Sequence, residues 1–342
     1  MKKPINKQDW LDLYDAADRF REAQPWDWFS ESDMFAIQDP DSKEWGFCSI
    51  LGGNGEHFAL HVYLGAEGLY KLNQMVENAA KLKPMAGLRL QKCLAVSFED
   101  REFMQPEELR QIKSLGLKYR GSRKWPSFHN FEPGYYPWFF EDEWQVRMMR
   151  YALEQALVVV QQYRDEPEVL FSENQFLARI PNKKEKPITW TEKWIDAPPY
   201  DPLQNFKKKY PLNEVKLETV ARLKKPTNSA WQVGLFDFPE PLQDGGERPY
   251  LPYVIIVVDK ESEMILGINM IKPSQYPAVL SDLFIDFLSN APVLPGTVGF
   301  NIPEVGMLLQ PILQRLNIEP KMLKAKALVN KLFRDMLKKQ GH

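Results

Sequence analysis

The chain has 342 residues, 44% of them hydrophobic and 26% charged, with 44 Lys plus Arg against 46 Asp plus Glu. A net charge of -2 gives no global attraction for polyanions, so a nucleic-acid role would need a local basic patch. Cys48 and Cys93, the only cysteines, are too few for a disulfide framework or a thiolate metal cluster, and the length favours two domains.

Residues 8–23 show helical periodicity through Trp10, Leu13, Tyr14, Ala17 and Phe20. Asp9, Asp12, Asp15 and Asp18 interrupt any apolar run behind the first lysines, which is unlike a signal peptide. With no uninterrupted apolar run of about 18 residues elsewhere, a cytoplasmic location and no membrane partner are expected. Residues 34–51 are two apolar runs around Asp39-Pro40-Asp41-Ser42-Lys43 and predict a β-hairpin. GGNG (52–55) then turns the chain into a strand, HFALHVYLG. A helix over 67–81, a buried strand over 92–98, a helix over 106–114 and a strand over 115–120 follow.

A long helix is expected over 142–163, ending before Pro167, and a hairpin over 169–195 with the loop NKKEK (182–186). The proline- and lysine-rich tract 196–211 marks a boundary. Beyond it, residues 252–271 are again two apolar runs around a polar turn, Asp259-Lys260-Glu261-Ser262. A helix over 276–289, a strand over 296–300, a helix over 303–316, a return strand over 316–323 and a basic helix over 322–339 complete the chain. The lysines and arginine of that last helix read as a solvated face.

The order hairpin, helix, strand, helix, strand therefore occurs twice. It predicts an α+β fold of two similar halves, each a mixed sheet with a β-hairpin and packed helices, joined by a long helix and an irregular linker. Chance recurrence of hairpin–helix units remains the alternative. The domain bounds expected are 1–165, 166–211 and 212–342.

Groups that carry chemistry are few. His57 and His61, read together on one strand, would lie roughly 13 Å apart and could not share a zinc ion. His129 has no serine or cysteine motif beside it, and His342 is terminal. GGNG lacks the Gly-Lys-Ser/Thr ending of a phosphate loop and reads as a tight turn. Asp39 and Asp259 occupy equivalent turns, where aspartate ordinarily accepts backbone hydrogen bonds. No metal ligands or cofactor are assigned.

Two resemblances stand beside these readings. YVIIVVDKESEMILGINMI, GTVGFNIPE and LNIEPKM, within residues 231–325, resemble the ribonuclease H-like fold of integrases and transposases. In that family, acids in the first strand and after the fourth hold two metal ions. Here the post-strand position is Asn301 and YVIIVV carries no internal acid, so the resemblance implies a scaffold without its catalytic acids. LYDAADRF, PWDWF, residues 33–69, LGLKYRGSRKWPSFHNFEPGYYPWF and the later hairpin with KPSQYP resemble a family of bacterial proteins known as a pair of domains of unknown function. This resemblance spans nearly the whole chain and implies a bacterial cytoplasmic setting.

Residues 123–140 pack eight aromatics behind Arg123 and Lys124. Such a tract could stack nucleic-acid bases, but Glu132, Glu141, Asp142 and Glu143 follow at once. It reads instead as the seam joining the first half to the long helix, with Trp125, Phe128, Tyr135 and Trp138 buried and Arg123 and His129 lining a cleft. The expected function is non-catalytic binding, with a protein as partner. The alternative is a metal-dependent nucleic-acid-processing enzyme or a nucleic-acid binder on a ribonuclease H-like scaffold, using Asp237 or Asp259 with another acid for a metal, which requires Asp237, Asp259 and Glu304 to converge.

Overall fold

The computed structural model describes residues 5–82, 84–166, 170–172, 175–184, 187–204, 206–207 and 210–339. His342, Pro167 and parts of the 182–186 loop and the 196–211 tract lie outside the described residues. The chain is α+β and divides into two compact units, 1–200 and 201–342.

The first unit runs α1 (Lys7–Ala23), β1 (Phe35–Gln38), β2 (Trp45–Leu51), β3 (Ala59–Leu64), α2 (Gly65–Glu77), α3 (Pro84–Gly87), β4 (Cys93–Glu99), α4 (Pro106–Leu115), β5 (Trp125–Phe131), α5 (Glu143–Tyr163), β6 (Phe171–Ser172), β7 (Gln175–Asn182) and β8 (Thr189–Asp196). Its sheet has the order β5-β4-β3-β2-β1-β7-β6, with β8 also paired to β7. All pairings are antiparallel except β1 with β7. Asn6 caps α1 by accepting from Asp9 N, and Asp142 caps α5 by accepting from Gln145 N at 2.9 Å. The apolar stripes of both helices bury against the sheet face formed by Cys48, Ile50, Leu60, Val62, Leu94 and Val96. Strand alternation sends Phe47, Tyr63, Cys93 and Phe176 to the opposite face.

Three expectations are corrected here. The strand lies at 125–131, not 115–120: Gly116 ends α4 at φ +83°, and Leu117 and Tyr119 then reach the core from an irregular segment. Within the aromatic tract Phe128 and Phe140 are buried, whereas Trp125, Tyr135 and Trp138 are half-buried. Asn130 and Trp138 exchange backbone hydrogen bonds of 2.7 and 3.0 Å, so the tract folds back along the outer edge of β5. Finally, the hairpin placed between the halves joins the first sheet through β1 and β7, at Ala36↔Ala178, and the first unit extends to residue 200.

The second unit runs α6 (Glu214–Leu223), β9 (Ala230–Asp237), β10 (Tyr253–Asp259), β11 (Ile265–Ile271), α7 (Leu280–Asn290), β12 (Thr297–Phe300), α8 (Pro303–Arg315), β13 (Glu319–Met322) and α9 (Leu328–Lys339). The sheet order is β11-β10-β9-β12-β13; β9 to β11 form an antiparallel meander, and β12 pairs in parallel with both β9 and β13. YVIIVV is thus the second strand of the unit, and the first, β9, ends on Asp237. One face is covered by α6, α7 and α8 through Leu217, Phe284 and Leu309. The other face takes α9, whose start at 328 is later than expected and which is not merely a solvated basic helix. Val329 and Phe333 are buried, Phe333 stacks on Phe236 at 4.2 Å, and Val329 N donates to Gln232 Oε1 at 3.0 Å.

The two hairpin turns are built alike. Asp39 Oδ1 accepts from Asp41 N and Ser42 N at 2.7 and 2.8 Å, and Asp259 Oδ1 accepts from Glu261 N and Ser262 N at 3.0 and 2.8 Å. Both aspartates thus serve the turn, as the sequence pattern predicts.

Candidate binding cleft

On the face of the first sheet opposite α1 and α5, alternation presents Ser49 and Leu51 of β2 and His61 and Tyr63 of β3. Helix α2 packs directly beside them because residue 68 is glycine: a Cβ there would stand 2.8 Å from Lys92 O and 2.9 Å from the Tyr63 carbonyl carbon. Its cleft-facing residues, Leu69, Leu72, Asn73 and Val76, recur at helical spacing and form one wall. The far wall is residues 30–34, with Phe176 and Ala197. Ser49 Oγ donates to Glu31 O at 2.8 Å, tying that loop to the floor, and Ser30 closes it by donating from N and Oγ to Asp33 Oδ2, both at 2.7 Å. The cleft volume is about 940 Å³, a size suited to an organic ligand or a segment of another chain.

The floor is electrically quiet. Burial, with His57 adding to it, holds the His61 imidazole down to about 4, so the ring is neutral near pH 7. The Tyr63 phenol is pushed up by burial first, then by Cys93 and Glu31. Tyr63 Oη and His61 Nδ1 stand 3.5 Å apart. Gln91 Oε1, on the lining, is buried and accepts no hydrogen bond. Among the described residues, the charged ones lining the cleft are Glu31 and Glu77, with no lysine or arginine. Such a surface suits an apolar ligand with neutral or cationic groups and disfavours phosphates.

The histidine pair differs from expectation. β3 begins at Ala59, so His57 lies in the preceding loop and the two rings are 6.2 Å apart. Among the described residues, no group of three or more His, Cys, Asp or Glu is arranged to hold a metal ion. GGNG forms a turn closed by Gly55 N donating to Gly52 O at 2.8 Å, and Gly53 and Asn54 border the cleft.

Arg123 and His129 are held by different partners. Arg123, at φ +54°, donates from N to Asp100 Oδ1 at 2.7 Å and from Nη1 to Gly55 O at 2.6 Å, with its guanidinium 5.0 Å from the Phe58 ring. It ties loops together. His129 lies in the same cross-sheet row as Ser49, His61 and Ala95, two strands beyond His61. Its Nδ1 is 3.2 Å from Ser127 Oγ, which donates to Glu108 Oε1 at 2.6 Å. That chain puts the serine in the middle, and Glu108 Oε2 accepts from Gln105 N at the start of α4, so the carboxylate is occupied structurally.

In the second unit the three acids of the metal hypothesis do not converge. Asp259 stands opposite Trp231 at one end of β9 and Asp237 at the other, six residues away or roughly 20 Å. Glu304 and Asp237 instead both act on Tyr276, whose phenol is pushed up chiefly by burial and then by the neighbouring Tyr253 and these acids. Asn301 is a backbone clamp: its Oδ1 accepts from Leu235 N at 3.0 Å and its Nδ2 donates to Leu235 O at 2.9 Å.

Fold and site define a two-unit α+β protein with an apolar cleft on its first sheet. Residues 10–179 match the family described as a domain of unknown function (DUF7309), and residues 217–337 match a second domain of unknown function (DUF6930), so the chain is a pairing of these two domains. The first match ends inside β7, although the sheet continues through β8. No curated protein matches the chain. No helix among the described residues is long and apolar enough to cross a membrane.

Proposed function

We propose that this protein acts by binding, and that the α2 cleft receives an apolar segment of a partner protein whose flanking charges are neutral or basic. The observation that carries this reading is the lining: Met34, Leu51, Leu69, Leu72, Met75, Val76 and Phe176 under a rim whose charges are Glu31 and Glu77. Methionine-rich apolar surfaces adapt to varied side chains, and acidic rims select basic flanks. A reducing setting such as the bacterial cytoplasm fits Cys48 and Cys93, both buried and free.

The second unit supports a scaffold role in this reading. A meander followed by helix, strand, helix and strand, with β12 and β13 parallel to β9, agrees with a ribonuclease H-like scaffold. Its post-strand position is taken by the Asn301 clamp, which favours a structural use of the unit over metal-dependent cleavage.

The test is fluorescence anisotropy with two labelled amphipathic peptides of identical apolar face, one carrying lysines and the other glutamates. The lysine peptide is expected to bind saturably and the glutamate peptide at least tenfold more weakly. Val76 is 66% exposed, so Val76→Arg should leave the fold intact and abolish binding of the lysine peptide. Equal binding of both peptides, or binding indifferent to Val76→Arg, rules the reading out.

A further inference from the structure

The two edges of the second sheet differ in chemistry. β13 reads Glu319-Pro320-Lys321-Met322, and charge and proline are the devices by which an edge strand resists further pairing. β11 has none of them: from Met264 to Ile271 there is no charged residue and no proline. Its inner side pairs with β10, and its outer side is the end of the sheet. Leu266, Ile268 and Met270 alternate onto one face, 37, 42 and 48% exposed. Met270 and Ile268 continue the row of Val254 and Ile256, and Leu266 sits beside them at a bulge, yet α9 covers β9 and β10 and leaves them open. On the other face Phe287 of α7 lies over Gly267, where a Cβ would meet it at 2.2 Å, so the strand is firmly seated against its own unit.

We propose that β11 is the interface of a homodimer, pairing antiparallel with β11 of a second copy about a two-fold axis through Ile268. The strand sequence points to a second copy as the occupant. Leu266-Gly267-Ile268-Asn269-Met270 is close to a mirror image about its centre: Leu266 matches Met270 and the uncharged Gly267 matches Asn269, while a bulge opposite Val257 and Val258 takes Ile265 out of this register. An axis perpendicular to the sheet at Ile268 sets Leu266 opposite Met270 and Gly267 opposite Asn269, each pair on the same face. Each exposed apolar side chain of one copy then meets an apolar side chain of the other, and the outer backbone groups of both strands gain partners. Two five-stranded sheets become one of ten strands, and the unprotected edge disappears.

The full-length chain is tested by light scattering after size-exclusion chromatography. A mass twice the chain's 39.9 kDa is expected. Ile268→Lys places two ammonium groups face to face on the axis and should return the mass to that of one chain, with an unchanged far-ultraviolet spectrum. Met322→Lys, on the other edge, should leave the dimer intact. Ile268→Cys should form a disulfide-linked dimer under mild oxidation, because opposed Cβ atoms in antiparallel strands lie about 5 Å apart and the native thiols, Cys48 and Cys93, are buried. This variant keeps the test valid should the lysine variant misfold. A monomeric wild-type chain overturns the proposal, as does a dimer that persists in Ile268→Lys or fails to cross-link through Ile268→Cys.

Discussion

The two sheets start from the same plan and part at one step. Each contains a hairpin turned by an aspartate that accepts two backbone N–H groups. In the first unit the strand after the helix, β4, returns antiparallel beside β3, and β5 follows it outward. In the second, β12 crosses the sheet and pairs in parallel with β9, at the far side of the meander. The consequence falls on the strand left behind. β3 becomes interior and its face floors a cleft, whereas β11 stays at the edge with an apolar outer side. Similar element order thus yields a pocket in one unit and a bare edge in the other.

The largest effect expected from testing this comparison concerns the cores. Phe20 and Phe284 are fully buried in separate clusters, one in each unit. Phe284→Ala should cost about 3–5 kcal/mol and Phe20→Ala a similar amount. Denaturant titration with hydrogen exchange should show each loss confined to amides of its own unit. A uniform loss across both units would contradict two independent cores.

The next effect is on pH dependence, through the cleft floor. The folded-state value of His61, about 4, lies below its ordinary value of 6.5, so the unfolded chain binds the extra proton first. Stability from this group is therefore complete above pH 6.5 and is lost as the pH falls toward 4, by up to about 3 kcal/mol. His61→Gln should flatten that slope, and a nuclear magnetic resonance titration of the imidazole should show a midpoint near 4. A midpoint near 6.5 would mean that the floor is wet.

The smallest expected effect compares the two turns. Asp39 is fully buried and its Oδ2 lies 3.6 Å from Arg147 of α5, whereas Asp259 is half-buried. Asp39→Ala should cost about 2–3 kcal/mol, since it also strips a buried charge from Arg147, and Asp259→Ala about 1 kcal/mol. Backbone hydrogen bonds from the Ser262 turn hold the Asp259 carboxyl below its usual range, so its contribution is present above the ordinary carboxylate pKa and fades as the pH falls below it. Equal costs in thermal denaturation would show that the turn alone, and not the helix contact, sets the value of Asp39.

Much of this architecture is legible in the chain. Helical periodicity places α1 and α5, β-alternation and polar turns place both hairpins, and the turn aspartates are identifiable from Asp-Pro-Asp-Ser and Asp-Lys-Glu-Ser. The pattern at 115–120 misleads because Leu115, Leu117 and Tyr119 alternate like a strand while packing on the core without a sheet partner. The basic charge of α9 masks Val329 and Phe333, which face inward on the same helix. The cleft itself was hidden, since the apolar residues of α2 read as an ordinary buried helix face. The available signals were Gly68 within a helix and His61 within an apolar strand.

Local patterning by itself determined the α+β class, the element order, the paired aspartate turns and the uncharged run of β11, because these depend on neighbours a few residues apart. Tertiary structure alone decided which strands pair, that Asp237 and Asp259 lie at opposite ends of β9, and that α2 leaves a cleft open beside His61. Those outcomes depend on contacts between residues far apart in the chain, where a crossover of one helix changes every neighbour and leaves the sequence pattern untouched.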